Sequence, residues 1–384
     1  MDGNLCRCTG YRGILDAWQS FSADKKPIDI EELHKLKCLN DSKKECKSLK
    51  KKIHIIKDGI EWYYPKTLTD LYDLFAQYGN QPYRIVSGGT GDGVYKTDGP
   101  FSVYINIRNI TDLYKIVKVP ILQVGSMTTI EKLINVCNSY SSNSGFEYLS
   151  VLTAHWLRIA NRHVRSIGTW AGNIMMKYYH HGFSSDLFLT LETVNATITI
   201  IGPDKITPPE QLKASELLSQ PKLNGKILYS LNFQPFDSTT NLIKTYKVSM
   251  RSQNSHAYVN AGFKFEIDNL SNLLVKSLPN IVFGGISGTF IHAINTEKYL
   301  LGQKLSNPDT FKNALKILYN EIPPDPHPVL SDPQYRKNLA CALFYKFILY
   351  ANKNNIVNKR LTSATDNLIG QMDKCKKYNM RITK

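Results

Sequence analysis

The sequence predicts an α+β protein of two folded units, on three observations. Strands and helices alternate with glycine-rich turns over residues 53–236, a polar turn-prone stretch interrupts them at Phe236-Asp237-Ser238-Thr239-Thr240-Asn241, and over 242–351 strands come first and helices follow. A length of 384 residues is enough for two or three compact units with separate cores. A short helical segment at 1–22, a Lys-rich linker over 23–52 and a basic tail over 352–384 complete the expected organisation.

Taken in order, Ile14, Leu15, Trp18 and Phe21 recur at helical spacing, and the pattern stops at Ser22. Ile53–Ile56 and Glu61–Tyr64 read as a strand pair ended by Pro65. A helix follows, capped by Thr67 or Thr69, with Leu68, Leu71, Leu74 and Phe75 on one face and a stop at Gly79-Asn80. Strands are expected at Tyr83–Ser87, Ser102–Ile107, Ile121–Val124 and Thr197–Ile201, and helices at Thr129–Cys137, Leu149–Ala160 and Asp186–Thr193. The second unit carries strands at Lys244–Val248, Val259–Ile267 and Asn280–Phe283, then helices at Thr296–Leu301, Asp309–Glu321 and Pro333–Ala351.

Composition excludes several classes. Hydrophobic residues at 42% and charged residues at 21% fit a globular chain and not a disordered one. No apolar run reaches the roughly 18 residues of a membrane span, and the N-terminus lacks a signal peptide, so the cytoplasm is the expected compartment. The net charge of +16 is concentrated in the flanks. Residues 25–57 hold 11 Lys against five acids and residues 352–384 hold eight basic against two acidic, a distribution that reads as solvated linker and tail, so no nucleic-acid partner is expected. Of seven cysteines only Cys6-x-Cys8 has metal-ligand spacing. His180-His181 lacks a third ligand at metal spacing and reads as a surface loop. Gly285-x-Ser287-Gly288-Thr289 misses a nucleophile elbow by one position.

Two glycine-rich turns stand out. Four glycines within Gly88-Gly89-Thr90-Gly91-Asp92-Gly93 follow a buried strand, and glycine costs conformational entropy on folding. A loop whose amides approach phosphate oxygens accounts for them, and so does a plain tight turn. A P-loop is excluded because no Gly-Lys-Ser/Thr follows, and the Rossmann fingerprint fails at Val94. The second turn sets Ser166, Thr169 and Asn173 among Gly168 and Gly172, as a donor-rich ligand loop or as a capped junction. Together the pair suggests a diphosphate lying between two loops.

The residues resemble the flavin region of the xanthine dehydrogenase and aldehyde oxidase family, and most of all the aldehyde oxidases. The resemblance rests on Gly3-Asn4-Leu5-Cys6-Arg7-Cys8-Thr9-Gly10-Tyr11-Arg12, on both glycine turns, and on Pro-free Phe183-Ser184-Ser185-Asp186. It continues through Thr245-Tyr246-Lys247, Arg251-Ser252-Gln253-Asn254-Ser255-His256-Ala257-Tyr258 and Tyr335-Arg336-Lys337-Asn338-Leu339. It implies a vanillyl-alcohol-oxidase or PCMH-type FAD-binding fold in two subdomains, a C-terminal domain like that of CO dehydrogenase flavoproteins, and a remnant of a helical iron–sulfur domain.

Carried over by position, Arg84, Ile85, Val86, Ser87, Gly88, Gly89, Thr90, Gly91 and Asp92 would line a first pyrophosphate loop. Gly168, Thr169, Gly172, Asn173 and Met176 would form the second, with Ile159 near the adenine. Ser185 and Asp186 would hydrogen-bond FAD, and Leu228 and Lys247 would lie against the isoalloxazine.

The family usually has asparagine at Gly89, so weaker FAD retention is expected. Cys6 and Cys8 supply half of the four thiolates of a [2Fe–2S] cluster. The upstream Cys-x-x-Cys and the molybdopterin domain are absent, so aldehyde oxidation is not expected of this chain, and family homodimerisation involves parts it lacks. The uncharged Gln253-Asn254-Ser255, where NAD-using relatives carry acids, makes oxygen the expected electron acceptor. The alternative is a catalytically inactive FAD-binding or interaction module.

Overall fold

A computed structural model describes residues 12–21, 53–79, 81–95, 98–221, 223–326 and 332–353. Cys6, Cys8, the linker and all of the tail beyond Lys353 lie outside the described residues. Among those described, helix α1 (Arg12–Ser20) presents Ile14, Leu15 and Trp18 to solvent.

The chain continues through β1 (Ile53–Lys57) and β2 (Ile60–Tyr64), a hairpin closed by Asp58-Gly59, both at positive φ as a tight two-residue turn requires. Helix α2 (Leu68–Tyr78) starts at Thr67, whose hydroxyl accepts from the Asp70 amide while Asp70 accepts from the Thr67 amide, a capping box. Of the predicted face, Leu71, Leu74 and Phe75 are buried and Leu68 is half-buried. Strand β3 (Arg84–Val86) and strand β4 (Val103–Asn106) run parallel, and β2 is parallel to β4, giving the order β1-β2-β4-β3.

Next come β5 (Ile116–Val117), β6 (Leu122–Gly125), α3 (Ile130–Tyr140), α4 (Leu149–Trp156), α5 (Arg162–Ile167), α6 (Trp170–Tyr179) and α7 (Asp186–Thr193). They are followed by β7 (Thr197–Ile201), β8 (Glu210–Lys213), α8 (Ala214–Leu218) and β9 (Ile227–Phe233). These strands form an antiparallel sheet in the order β5-β6-β9-β7-β8. Its core gathers Leu122, Leu133, Leu152, Trp156, Trp170 and Phe233, all fully buried.

A third, antiparallel sheet has the order β10-β11-β12-β13, from β10 (Asn241–Ser249), β11 (Ala257–Glu266), β12 (Asn280–Gly284) and β13 (Ile291–His292). Helices α9 (Ile294–Leu300), α10 (Pro308–Glu321) and α11 (Pro333–Ala351) follow, and α11 packs Phe344 and Phe347 onto Phe263 of β11, the Phe347 ring 5.1 Å from it. The predicted α+β class and the order of strands before helices in the second unit hold. No described helix is long and apolar enough to cross a membrane.

The strands expected at Tyr83–Ser87 and Ser102–Ile107 are each two residues shorter, and one helix falls short by more. The helix expected over 149–160 ends at Trp156. The apolar run continues to Ile159, but the buried Arg165 guanidinium captures the carbonyl oxygens of Leu157 and Ile159, and Ala160 turns left-handed at φ 43. Those carbonyls serve a turn and not a helix.

Candidate cofactor-binding site

The first loop leaves the C-terminal end of parallel strand β3, the end at which parallel sheets place ligands. The second turn leads into α6, capped by Thr169, whose hydroxyl accepts from the Gly172 amide at 3.1 Å. The loops meet. Ser87 Oγ and Thr169 Oγ1 are 3.1 Å apart, although the residues are 82 positions apart in sequence. A Cβ on Gly88 would stand 2.4 Å from the Ile167 carbonyl oxygen and 3.0 Å from Gly168 Cα, and one on Gly168 would stand 2.8 Å from Thr90 Oγ1.

Glycine at these two positions is therefore explained by contact between loops. The loops do not face each other across an open gap, as a diphosphate lying between them would need. They join into one floor on which Gly89, Thr90 and Gly172 are exposed and Asn173 and Met176 half-buried. Gly89 has φ +69, a conformation costly for most side chains and tolerated by asparagine. Met176 reaches under the first loop, 3.4 Å from where a Gly91 Cβ would be.

Charged side chains hold the floor from outside. Arg84 pairs with Asp92 at 3.0 Å and Asp98 at 3.4 Å, and His180 meets Asp98 at 2.9 Å while stacking on Tyr95. Arg108 donates to the Ser87 carbonyl at 2.5 Å and the Gly88 carbonyl at 3.0 Å. Arg108 was not marked by any local motif, because its role depends on β3 lying beside β4.

Behind the second turn, Ser185 caps α7 and donates to Asn173 Oδ1 at 2.6 Å. Asn173 Nδ2 then has no protein partner among the described residues. The neighbouring Asp186 is drawn inward. Its Oδ2 accepts from Lys247 Nζ at 2.6 Å, and its Oδ1 accepts from Asn260 at 3.0 Å and lies 3.3 Å from His155 Nε2. Lys247 also donates to the Arg158 carbonyl, while Arg158 donates to the Lys247 carbonyl at 2.9 Å.

Burial opposes the charge on Asp186, but Lys247 and the bond from His155 outweigh it and hold the carboxyl well below its usual range. Burial pushes His155 down despite its contact with Asp186. Asp186 and Lys247 are 8% and 2% exposed, so their polar atoms face each other and not solvent. Ile159 and Leu228 are buried in the core of the second sheet. His155 and Asn260 were legible only as polar interruptions of the apolar runs of α4 and β11.

The turn around Gln253-Asn254-Ser255 docks on the same neighbourhood. Gln253 Nε2 lies 3.4 Å from the Leu157 carbonyl, and the Asn254 amide donates to Ala160 at 3.2 Å.

Two protein families match this architecture in succession. Residues 57–232 match the FAD binding domain in molybdopterin dehydrogenase, and residues 244–351 match the CO dehydrogenase flavoprotein C-terminal domain. Over these residues the chain is similar to the FAD-binding domain of molybdopterin dehydrogenases followed by that C-terminal domain. The resemblance to aldehyde oxidases extends over most of the sequence. Indole-3-acetaldehyde oxidase of Arabidopsis thaliana is 29% identical over 394 residues, 92% of this chain and 28% of that protein. Abscisic-aldehyde oxidase of the same plant is 29% identical over 383 residues, 90% of this chain and 28% of that protein.

The chain thus spans under a third of these relatives. Among solved structures, CO dehydrogenase from Oligotropha carboxidovorans superposes with TM-score 0.60 at 19% identity, covering 76% of this chain and 96% of that one. Quinoline 2-oxidoreductase from Pseudomonas putida 86 gives the same TM-score, identity and coverage. Both show the fold.

The floor fits the diphosphate of FAD. It offers exposed glycine backbone, the N-terminus of a ten-residue helix and an amide donor on Asn173 without an acceptor among the described residues, all suited to an anion. Among the described residues no cluster of metal-ligating side chains is present.

Proposed function

We propose that the chain binds FAD on the joined loops and serves as the flavin module of an aldehyde oxidase-type protein, passing electrons from iron–sulfur centres to oxygen in the cytosol. The contact of Gly88 with Gly168 carries this reading, because it brings two distant turns onto one helix N-terminus.

In this reading Gly88, Gly89, Thr90 and Gly91 present backbone to one phosphate, and Gly172 and Asn173 present amide donors to the other. Arg84, Asp92 and Arg108 fix the first loop from outside and keep its shape when a doubly charged ligand arrives. Met176 sets the depth of the floor, and Ile159 packs beneath the adenine end. Ser185 orients Asn173, and Leu228 supplies an apolar wall for the ring system. Lys247 and Asp186 act as a hydrogen-bonded pair and not as a net charge, because the carboxylate neutralises the ammonium at 2.6 Å. Bound FAD supplies one- and two-electron exchange, which no side chain here provides. The uncharged Gln253-Asn254-Ser255 gives no acidic run beside the site and favours oxygen over NAD as acceptor. The proposal covers electron passage and not aldehyde oxidation.

The test is to load the purified chain with FAD, reduce it without air and follow the return of flavin absorbance. Rapid return with oxygen and none with NAD is expected. Return with NAD, or a chain that takes up no FAD, contradicts the proposal.

A further inference from the structure

Beside the joined loops, and sharing Ser185 with them, a crevice lies between residues 182–189 and residues 284–290, with Lys177 of α6 in its wall. Lys177 is 5% exposed, donates to the His181 carbonyl and lies 5.9 Å from the centre of the Phe188 ring. No described carboxylate pairs with it, and burial lowers its amine to about 8, so at neutral pH the buried ammonium form prevails. Buried charges are normally paired, because an unpaired ion in low dielectric is costly. The second observation is Ser184, whose Oγ is buried in the same crevice without a hydrogen-bond partner among the described residues. The third is space, a cavity of about 20 Å³, which holds one water-sized occupant.

We propose that Lys177 and Ser184 form a binding site for a single halide ion, with chloride as the physiological occupant. The ammonium supplies the charge and the Ser184 hydroxyl a second donor, which together replace part of the ion's water shell. The small volume favours a monatomic anion over phosphate, sulfate and carboxylates. Phe183, Phe188 and Phe290 line part of the crevice beside Ser185, Ser287 and Thr289, and the three rings favour a weakly hydrated ion over fluoride. Asp325, behind Gly288, is held by Arg336 at 3.1 Å, so its carboxylate is already neutralised.

This site does not depend on the flavin reading, and its test uses the full chain without FAD. Crystals soaked in sodium bromide are expected to show an anomalous peak within hydrogen-bonding reach of Lys177 Nζ and Ser184 Oγ. In solution, exchanging gluconate for chloride at constant ionic strength is expected to raise Tm by about 2 °C, as a native-state ligand does. Lys177→Met should abolish that shift and Ser184→Ala should reduce it. Absence of the bromide peak overturns the site, as does an equal chloride shift in Lys177→Met. If Lys177→Met does not fold, the diffraction result on the unaltered chain decides alone.

Discussion

Lys247 Nζ and Asp186 Oδ2 meet at 2.6 Å and join strand β10 to the start of helix α7, the one within the CO dehydrogenase flavoprotein C-terminal match and the other within the FAD-binding match. Removing one partner leaves a buried charge alone. Lys247→Met is expected to cost about 3–5 kcal/mol of stability in a urea titration, and adding Asp186→Asn to it should recover much of that loss.

The same pair sets an acid limb. The Asp186 carboxyl lies below its ordinary 3.8 when folded, so its contribution is complete above that value and is lost as pH falls toward the lower folded one. Unfolding followed by circular dichroism from pH 6 downward should show this limb in the unaltered chain and a weaker one in the double variant.

His292 works in the opposite direction. It lies 2.9 Å from Glu192 and 3.1 Å from Glu297, and although burial disfavours its charge, the two carboxylates raise it to about 9. A raised histidine contributes fully below its unfolded value near 6.5 and loses that contribution as pH rises through 9. The midpoint of urea unfolding is expected to fall between pH 6.5 and pH 9, and His292→Gln should flatten that slope.

The first loop can be altered in two directions. Gly88→Ala forces a Cβ against the Ile167 carbonyl, so a stability loss of about 1–3 kcal/mol and at least a tenfold rise in the Kd for FAD are expected. Gly89→Asn adds a donor at a position whose φ asparagine tolerates, and calorimetric titration should show several-fold tighter FAD binding.

Arg108→Ala should weaken FAD binding several-fold with little change in overall stability, because the half-exposed guanidinium acts on the Ser87 and Gly88 carbonyls and not on the core. Fluorescence titration with FAD beside a thermal melt separates the two effects.

Much of the fold was legible because local signals agreed with it. The cap at Thr67, the apolar face of α2 and the apolar run of β11 each have a short-range cause. What was not legible depends on partners far away in sequence. Strand β9 hides behind Ser230 and Asn232, buried polar residues that suit a strand only because Thr199 of β7 accepts from Asn232 at 2.9 Å. The glycine turns announced a ligand loop, yet their contact, which explains Gly88 and Gly168, could not be read from either turn alone. Arg108, His155 and Asn260 became site residues through tertiary placement, and each is a single polar residue in an unremarkable segment.

The most direct test of the central claim is a fluorescence titration of FAD into the full chain, beside the same titration with Gly88→Ala. Saturable binding of one FAD per chain, weakened at least tenfold by the substitution, is the expected result. No binding to the unaltered chain, or equal binding by the variant, would contradict the assignment of the joined loops as the FAD site.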